Sequence, residues 1–142
     1  MKTKNLIKRI FSPHISKDST KTPQKTQQQY FFNEFYIAGY RYYEGETIAE
    51  SLLEGKPVTF KREPYCIYDT KAVAIYAGRK KLGYIPRKDN TIISTLMDQG
   101  VIMKGKIQKR NFDDQPRKQV KISVFTAYTA YKKSNRFSIL LG

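Results

Sequence analysis

The sequence has too few cysteines and histidines for the two usual ways of cross-linking a small domain. Its 142 residues include one cysteine, Cys66, and one histidine, His14. A single cysteine cannot form an internal disulfide, and a tetrahedral structural zinc site needs about four such ligands. The fold is therefore expected to depend on a hydrophobic core alone, without metal or cofactor, as is typical of a cytoplasmic protein.

Long apolar runs and negative charges are also scarce. No run of about 18 apolar residues is present, so we expect no membrane-spanning helix, and the N-terminus lacks the apolar core of a secretory signal. Against 12 Asp and Glu the chain carries 27 Lys and Arg, which gives a formal net charge of +15. A chain this basic is expected to be soluble and to bind a polyanion, either nucleic acid or an anionic membrane surface.

The chain divides into a polar N-terminal part and a part that can form a core. Residues 12–29 are almost entirely polar, so they cannot offset the entropy of ordering, and we predict a basic, largely disordered tail and linker over residues 1–30. In residues 1–11 cations are interleaved with apolar side chains. This pattern leaves open either a short basic amphipathic helix that contacts an anionic membrane or DNA, or a solvated tail. Residues 131–142 are predicted to be a C-terminal extension.

From residue 31 onward the hydrophobic pattern has period two, which is typical of strands. Two short helices interrupt it: Thr47 begins a predicted capping box, and Asp89 or Asn90 is predicted to cap the second helix. The pattern predicts a mainly β domain over residues 31–130, a small mixed or antiparallel barrel. The six predicted strands lie near 31–42, 58–62, 72–77, 82–86, 101–110 and 118–128.

Tyrosines and cations occur together at the predicted strand ends. Rings can stack on bases while cations contact phosphates, so this combination is typical of an interface for single-stranded nucleic acid. The alternative is that several of the rings are core residues, because tyrosine is a good strand former. The candidate base platforms are Tyr42, Tyr43, Tyr65, Tyr68 and Tyr84, and the candidate phosphate ligands are Arg41, Lys61, Arg62, Lys71 and Arg87.

Asp69 is an acid among these bases, and two roles are open to it. Its side chain can cap the turn in which it lies, a common role for aspartate. It can also accept a hydrogen bond from a free sugar hydroxyl while repelling an internal phosphodiester. In the second role Asp69 would mark the end of a strand.

Signs of catalysis are weak, and we expect no enzyme and no catalytic residues. Glu54-Gly55-Lys56 has the Glu-x-Lys spacing of a metal-dependent nuclease, but no second carboxylate is clearly placed to share a metal. No glycine-rich phosphate-binding loop is present either, which disfavours nucleotide hydrolysis.

Three motifs in consistent order resemble those of a HIRAN domain, and they cover about residues 33–128. The first is Phe35-Tyr36-Ile37-Ala38-Gly39-Tyr40-Arg41-Tyr42-Tyr43-Glu44-Gly45. The second is Arg62-Glu63-Pro64 with Tyr68-Asp69 and Ala72-Val73-Ala74-Ile75-Tyr76, and the third is Leu82-Gly83-Tyr84-Ile85-Pro86-Arg87. HIRAN domains occur in helicase-like transcription factor, in Rad5-type fork-remodelling ATPases and as small bacterial proteins. This chain resembles the stand-alone bacterial kind.

The resemblance implies an OB-like barrel that binds single-stranded DNA and captures its 3′ end. Tyr42 and Tyr68 match the positions that hold the terminal bases, and Asp69 matches the carboxylate that receives the 3′-hydroxyl. Arg41 and Arg87 match basic positions near the backbone. The implied setting is DNA repair, replication-fork processing or mobile-element DNA metabolism, together with a larger helicase or nuclease.

This sequence departs from the family pattern at two positions of the same loop. Cys66 and Lys71 each stand where the family often has asparagine. Capture of the 3′ end is therefore expected to be weaker or differently tuned.

Overall fold

Six strands form one sheet in the described part of the chain, which consists of residues 25–111 and 118–131 of the computed structural model. The account below concerns the compact unit Gln27–Thr129. The strands are β1 (Lys25–Tyr36), β2 (Pro57–Arg62), β3 (Val73–Ala77), β4 (Lys80–Tyr84), β5 (Ile102–Arg110) and β6 (Val120–Tyr131). Their order is β1-β6-β5-β2-β3-β4, and β2 pairs antiparallel with both β3 and β5, as β4 does with β3 and β6 with β5. The predicted mainly β class is confirmed.

The segment after β1 links the two ends of this strand order. The Ile37 N–H donates to the Val120 carbonyl at 2.9 Å, and one residue later Ala38 exchanges hydrogen bonds of 2.8 and 2.9 Å with Tyr84. Gly83 allows this approach, because it has φ 145° and a Cβ added there would lie 2.4 Å from the Ala38 oxygen. The sheet is thus bridged rather than closed by a full ladder, which is consistent with a small OB-like fold.

Side chains from all six strands and from the helices form the core. On β6 the side chains of Val120, Ile122 and Val124 are almost fully buried, whereas Lys121 and Ser123 between them are partly exposed. This is the predicted period-two alternation. Burying each such aliphatic side chain contributes roughly 1.5–3 kcal/mol.

The chain between β1 and β2 differs from the prediction of a strand followed by a capped α-helix. Residues Tyr40–Tyr42 form a 3-10 helix, because Tyr40 turns into the core, where it is 1% exposed. A second 3-10 helix spans Glu44–Ser51. The predicted capping box is wrong: this helix begins before Thr47, whose hydroxyl donates to the Glu44 carbonyl at 2.6 Å. Gly45 packs on Tyr40, and an added Cβ would lie 2.1 Å from that ring.

The single α-helix in the described residues, α1 (Arg87–Asp98), begins two residues before the first predicted cap. Pro86 occupies the N-cap position, and its fixed φ suits the start of a helix. Asp89 and Asn90 therefore lie inside the first turn, and the prediction that either caps the helix is wrong. Asn90 is 3% exposed and faces inward.

Several predicted features lie outside the described residues. These are the basic tail, most of the linker and all but the first residue of the C-terminal extension. β1 begins at Lys25, so its first residues come from the predicted linker, and the domain boundaries at 31 and 130 stay predictions. In the ranges that the structure describes, no helix is long and apolar enough to cross a membrane.

Candidate nucleic-acid interface

A pocket of about 320 Å³ lies where the end of β1, the loop 63–72, β4 and the first turn of α1 meet. It contains six of the eleven candidate residues named from the sequence. The five that do not line it are Arg41, Lys61, Arg62, Tyr65 and Lys71. The six that the fold brings together are Tyr42, Tyr43, Tyr68, Asp69, Tyr84 and Arg87.

Two tyrosines at this pocket are largely exposed. The side chains of Tyr42 and Tyr68 are 75% and 80% exposed, although both line the pocket. The Arg41 guanidinium lies 5.2 Å from the centre of the Tyr42 ring, a cation–π distance. For these two rings the core alternative is wrong, and their surfaces are available for stacking.

The other two pocket tyrosines are held by their neighbours. Tyr43 and Tyr84 pack edge to face with ring centres 5.5 Å apart, and the Lys81 ammonium lies 5.0 and 4.2 Å from those centres. Lys81 donates to Glu63 at 3.0 Å and to the Tyr84 hydroxyl at 2.6 Å. That hydroxyl donates to the second Glu63 oxygen at 2.6 Å. We call Tyr43, Tyr84, Lys81 and Glu63 the fixed rim, and Tyr42 with Tyr68 the open rim.

The fixed rim keeps one charge state across the neutral range. Burial raises the pKa of Tyr84 to about 12, and its hydrogen bond to Glu63 acts in the same direction. Burial opposes the charged forms of Glu63 and Lys81, but their hydrogen bonds to Tyr84 and to each other outweigh it. The pKa of Glu63 therefore lies below its usual value, and the pKa of Lys81 lies above its own. Neutral Tyr84, anionic Glu63 and cationic Lys81 coexist.

Asp69 holds the loop and also faces the pocket. One carboxylate oxygen accepts from the Lys71 backbone N–H at 2.8 Å, and the other accepts from the Asn90 amide at 2.6 Å. The Arg87 guanidinium lies 3.8 Å from the second oxygen. The predicted turn-capping role is observed. An ionised carboxylate has about four acceptor sites, so capacity for a further donor remains.

Arg62 directs its donors into the protein rather than toward the pocket. It forms a bidentate pair with Asp98 at 2.8 and 3.2 Å, and it donates to the carbonyls of Ala72 and Thr70 at 2.7 and 3.1 Å. Its side chain is only 14% exposed. These bonds fasten the loop 63–72 to the C-terminal end of α1, so the contact with phosphate stays a prediction without geometric support. Lys71 is exposed on the same loop.

Asn90 is a pocket residue that the sequence interpretation did not place there. Its buried amide orients Asp69, and it lies on the same helix face as Arg87 because the two are three residues apart. Its three-residue spacing from Arg87, a candidate phosphate ligand, is the sequence signal that could have identified Asn90 as a pocket residue. Cys66 also lines the pocket.

Metal ligands are not clustered in the residues that the structure describes. No group of three His, Cys, Asp or Glu side chains lies there in an arrangement that could hold an ion. Glu54 and its neighbour Gly55 are exposed in the turn before β2.

These features define a small OB-like binding domain with its pocket built from loops and strand ends. The model of the HIRAN domain matches residues 30–129. The chain belongs to the HIRAN domain family, which is a family of DNA-binding domains.

Two solved structures are similar to this chain. The crystal structure of a protein from Lactobacillus plantarum is 26% identical and has a TM-score of 0.64, covering 72% of this chain and 98% of that one. The crystal structure of the HIRAN domain of human HLTF is 15% identical and has a TM-score of 0.50, covering 73% and 81%. The second likeness shows the fold alone. A search of curated proteins found no significant match.

Proposed function

We propose that this protein binds single-stranded DNA and holds a 3′-hydroxyl end in the tyrosine pocket. The observation that carries the proposal is the open rim, where two exposed rings border a pocket that contains one carboxylate beside one arginine. Stacking of one base on a ring contributes about 1–3 kcal/mol and depends little on base identity.

Asp69 supplies the selectivity for the end. Its carboxylate can accept a hydrogen bond from a terminal sugar hydroxyl, whereas it would repel a terminal phosphate. Asn90 and the Lys71 backbone N–H hold the carboxylate in position before the strand arrives. This preorganisation lowers the entropic cost of binding.

Arg41, Lys71 and Arg87 contribute the attraction for the DNA backbone. All three are exposed, and Arg87 also donates to the Tyr68 carbonyl at 3.1 Å, which places its charge beside the open rim. Arg62 acts in this proposal as a positioning residue for the loop.

A module of this kind supplies recognition rather than catalysis. We place it in DNA repair, replication-fork processing or mobile-element DNA metabolism, beside a helicase or nuclease that acts on the held end.

The test compares two 5′-labelled oligonucleotides that differ only in a 3′-hydroxyl or a 3′-phosphate, by fluorescence anisotropy. The protein should prefer the hydroxyl end, and Asp69→Asn should lose that preference more than it loses affinity. Glu50→Gln, which removes an exposed carboxylate outside the pocket lining, is the matched control and should keep the preference. Equal binding of both ends by the unmodified protein would contradict the proposal.

A further inference from the structure

A second and larger groove adjoins the tyrosine pocket. It has a volume of about 1040 Å³, and Ala38, Gly39 and Tyr42 line both it and the pocket. A chain that leaves the pocket past the Tyr42 ring therefore enters the groove directly.

The groove is positively charged. Four cations line it, Arg41, Lys88, Lys118 and Lys121, together with one carboxylate, Glu34. Glu34 is already paired with Lys121 and also accepts from Gln108 at 2.8 Å.

The other three cations are therefore available to pair with an anionic ligand. Among the described residues, no carboxylate lies within ion-pair distance of Arg41, Lys88 or Lys118, and all three are exposed. A cleft lined by charge of one sign concentrates the field and attracts a polyanion.

The groove also offers ring and apolar surface between these charges. The exposed ring of Tyr42 and the partly exposed ring of Tyr36 line it, whereas Phe35 and Ile37 are buried in the core behind its wall. Lys121 lies 6.0 Å from the centre of the Tyr36 ring. Rings between cations suit a single nucleic-acid strand, whose bases and phosphates need both kinds of contact. A lipid headgroup layer needs only the cations.

We infer that this groove binds the nucleotides on the 5′ side of the captured end, with Lys88 and Lys118 contacting their phosphates. The inference rests on the proposed function, because the pocket fixes the end from which the strand runs. The protein thus holds a longer segment of DNA than the pocket alone can contain.

The experiment measures affinity as a function of strand length and salt. Oligothymidylates with a 3′-hydroxyl are used at two and at about ten nucleotides, the longer being within the ~4–16 nucleotides that one OB fold covers. The double variant K88Q/K118Q should bind the long strand more weakly, with a slope of log K against log salt that is shallower by about 0.7 × 2, or ~1.4. Its affinity for the dinucleotide and its 3′-hydroxyl preference should not change.

The matched control is R79Q/K109Q, which removes two exposed cations that line neither cavity. Equal losses in the two variants would overturn the inference, because they would show a general effect of charge. Equal affinity of the unmodified protein for short and long strands would overturn the groove inference too. In that case a preference for the 3′-hydroxyl on the dinucleotide would still support the proposed function. Conversely, a long-strand loss confined to K88Q/K118Q without any end preference would retain the groove and reject the end-binding proposal.

Vesicles of phosphatidylserine provide the remaining arm. If K88Q/K118Q lowers vesicle binding and leaves the long oligothymidylate unaffected, the groove serves an anionic surface and the inference is wrong. If the loss is seen with DNA alone, the inference stands.

Discussion

The fixed rim and the open rim use the same residue type in opposite ways at one pocket. Tyr84 has its hydroxyl bonded and its ring covered by Tyr43 and Lys81, whereas Tyr42 and Tyr68 present most of their surface to solvent. A tyrosine between cations can thus be either scaffold or contact surface. The neighbouring side chains decide between these two roles. In the fixed rim, the partly buried pair of Lys81 and Glu63 binds the Tyr84 hydroxyl and holds the ring in place.

The loop 63–72 joins the two rims, since it begins with Glu63 of the fixed rim and carries Tyr68 of the open rim. Arg62 fixes this loop by donating hydrogen bonds to the carbonyls of Ala72 and Thr70. We call these bonds, together with the Arg62–Asp98 pair, the tether. The strength of this tether should therefore set how well either rim is formed.

Breaking the tether should have the largest effect on stability. Arg62→Met removes the bonds to two carbonyls and to Asp98, and we expect the free energy of unfolding to fall by about 2–3 kcal/mol, since hydrogen bonds to charged groups are strong. Urea denaturation measures the change. Arg79→Met, at an exposed arginine in the β3–β4 hairpin, should leave the stability nearly unchanged. If Arg62→Met is as stable as the unmodified protein but binds DNA weakly, the role of Arg62 is instead to contact a phosphate.

Truncating the open rim should lower binding and leave stability nearly unchanged. Tyr42→Ala or Tyr68→Ala should weaken binding of single-stranded DNA by ~1–3 kcal/mol, the contribution of one stacked base. Titration calorimetry and thermal melts give the two quantities. Tyr65→Ala is the control, because Tyr65 is 94% exposed on the same loop but does not line the pocket. A drop in melting temperature with unchanged affinity would show that the rings support the fold.

The fixed rim should reveal itself by a small pH dependence of stability. Because the pKa of Glu63 is lowered on folding, its contribution is present above the usual value of 4.5 and is lost as the pH falls through the folded pKa. The raised pKa values of Lys81 and Tyr84 place their contributions below about pH 10, with loss on further increase. Between these limits the cluster should contribute a constant amount.

Melting temperature as a function of pH tests this for the unmodified protein and for Glu63→Gln. The variant should lose about 0.5–1 kcal/mol at neutral pH, a value reduced because the pair is partly exposed. It should show a shallower decline below pH 4.5, whereas Glu50→Gln should follow the unmodified protein. If the melting temperature fell equally steeply at acid pH in all three proteins, groups other than Glu63 would be responsible for the acid sensitivity.

Much of the sheet could be predicted because its signals are local. The alternation along β6 acts within a few residues, and its prediction agrees with the structure. The turn between β3 and β4 likewise depends on one residue, Gly78, whose φ of 59° favours glycine. The first predicted strand is observed but ends at Tyr36; its predicted extension through Tyr42 is wrong, because burial of Tyr40 overrides the local preference for extended backbone.

The pocket could be predicted only in part for a related physical reason. A sequence shows that an arginine is charged but not which acid it meets, and the partner of Arg62 is Asp98, 36 residues away. Arg87 pairs instead with Asp69, a residue of the pocket itself, at 3.8 Å, and therefore remains at the pocket. The family motifs placed Asp69 and the two open rings together, while Asn90 had no motif of its own.

The bridge between Ala38 and Tyr84 bears on base composition. Ala38 lines both cavities, and its backbone N–H and carbonyl are each hydrogen-bonded to the backbone of Tyr84. A nucleobase resting there meets the Ala38 methyl group and finds the Ala38 N–H already bonded. Under the proposed function, this part of the surface supplies no donor for telling one base from another, so we expect strand ends of different sequence to bind with similar affinity.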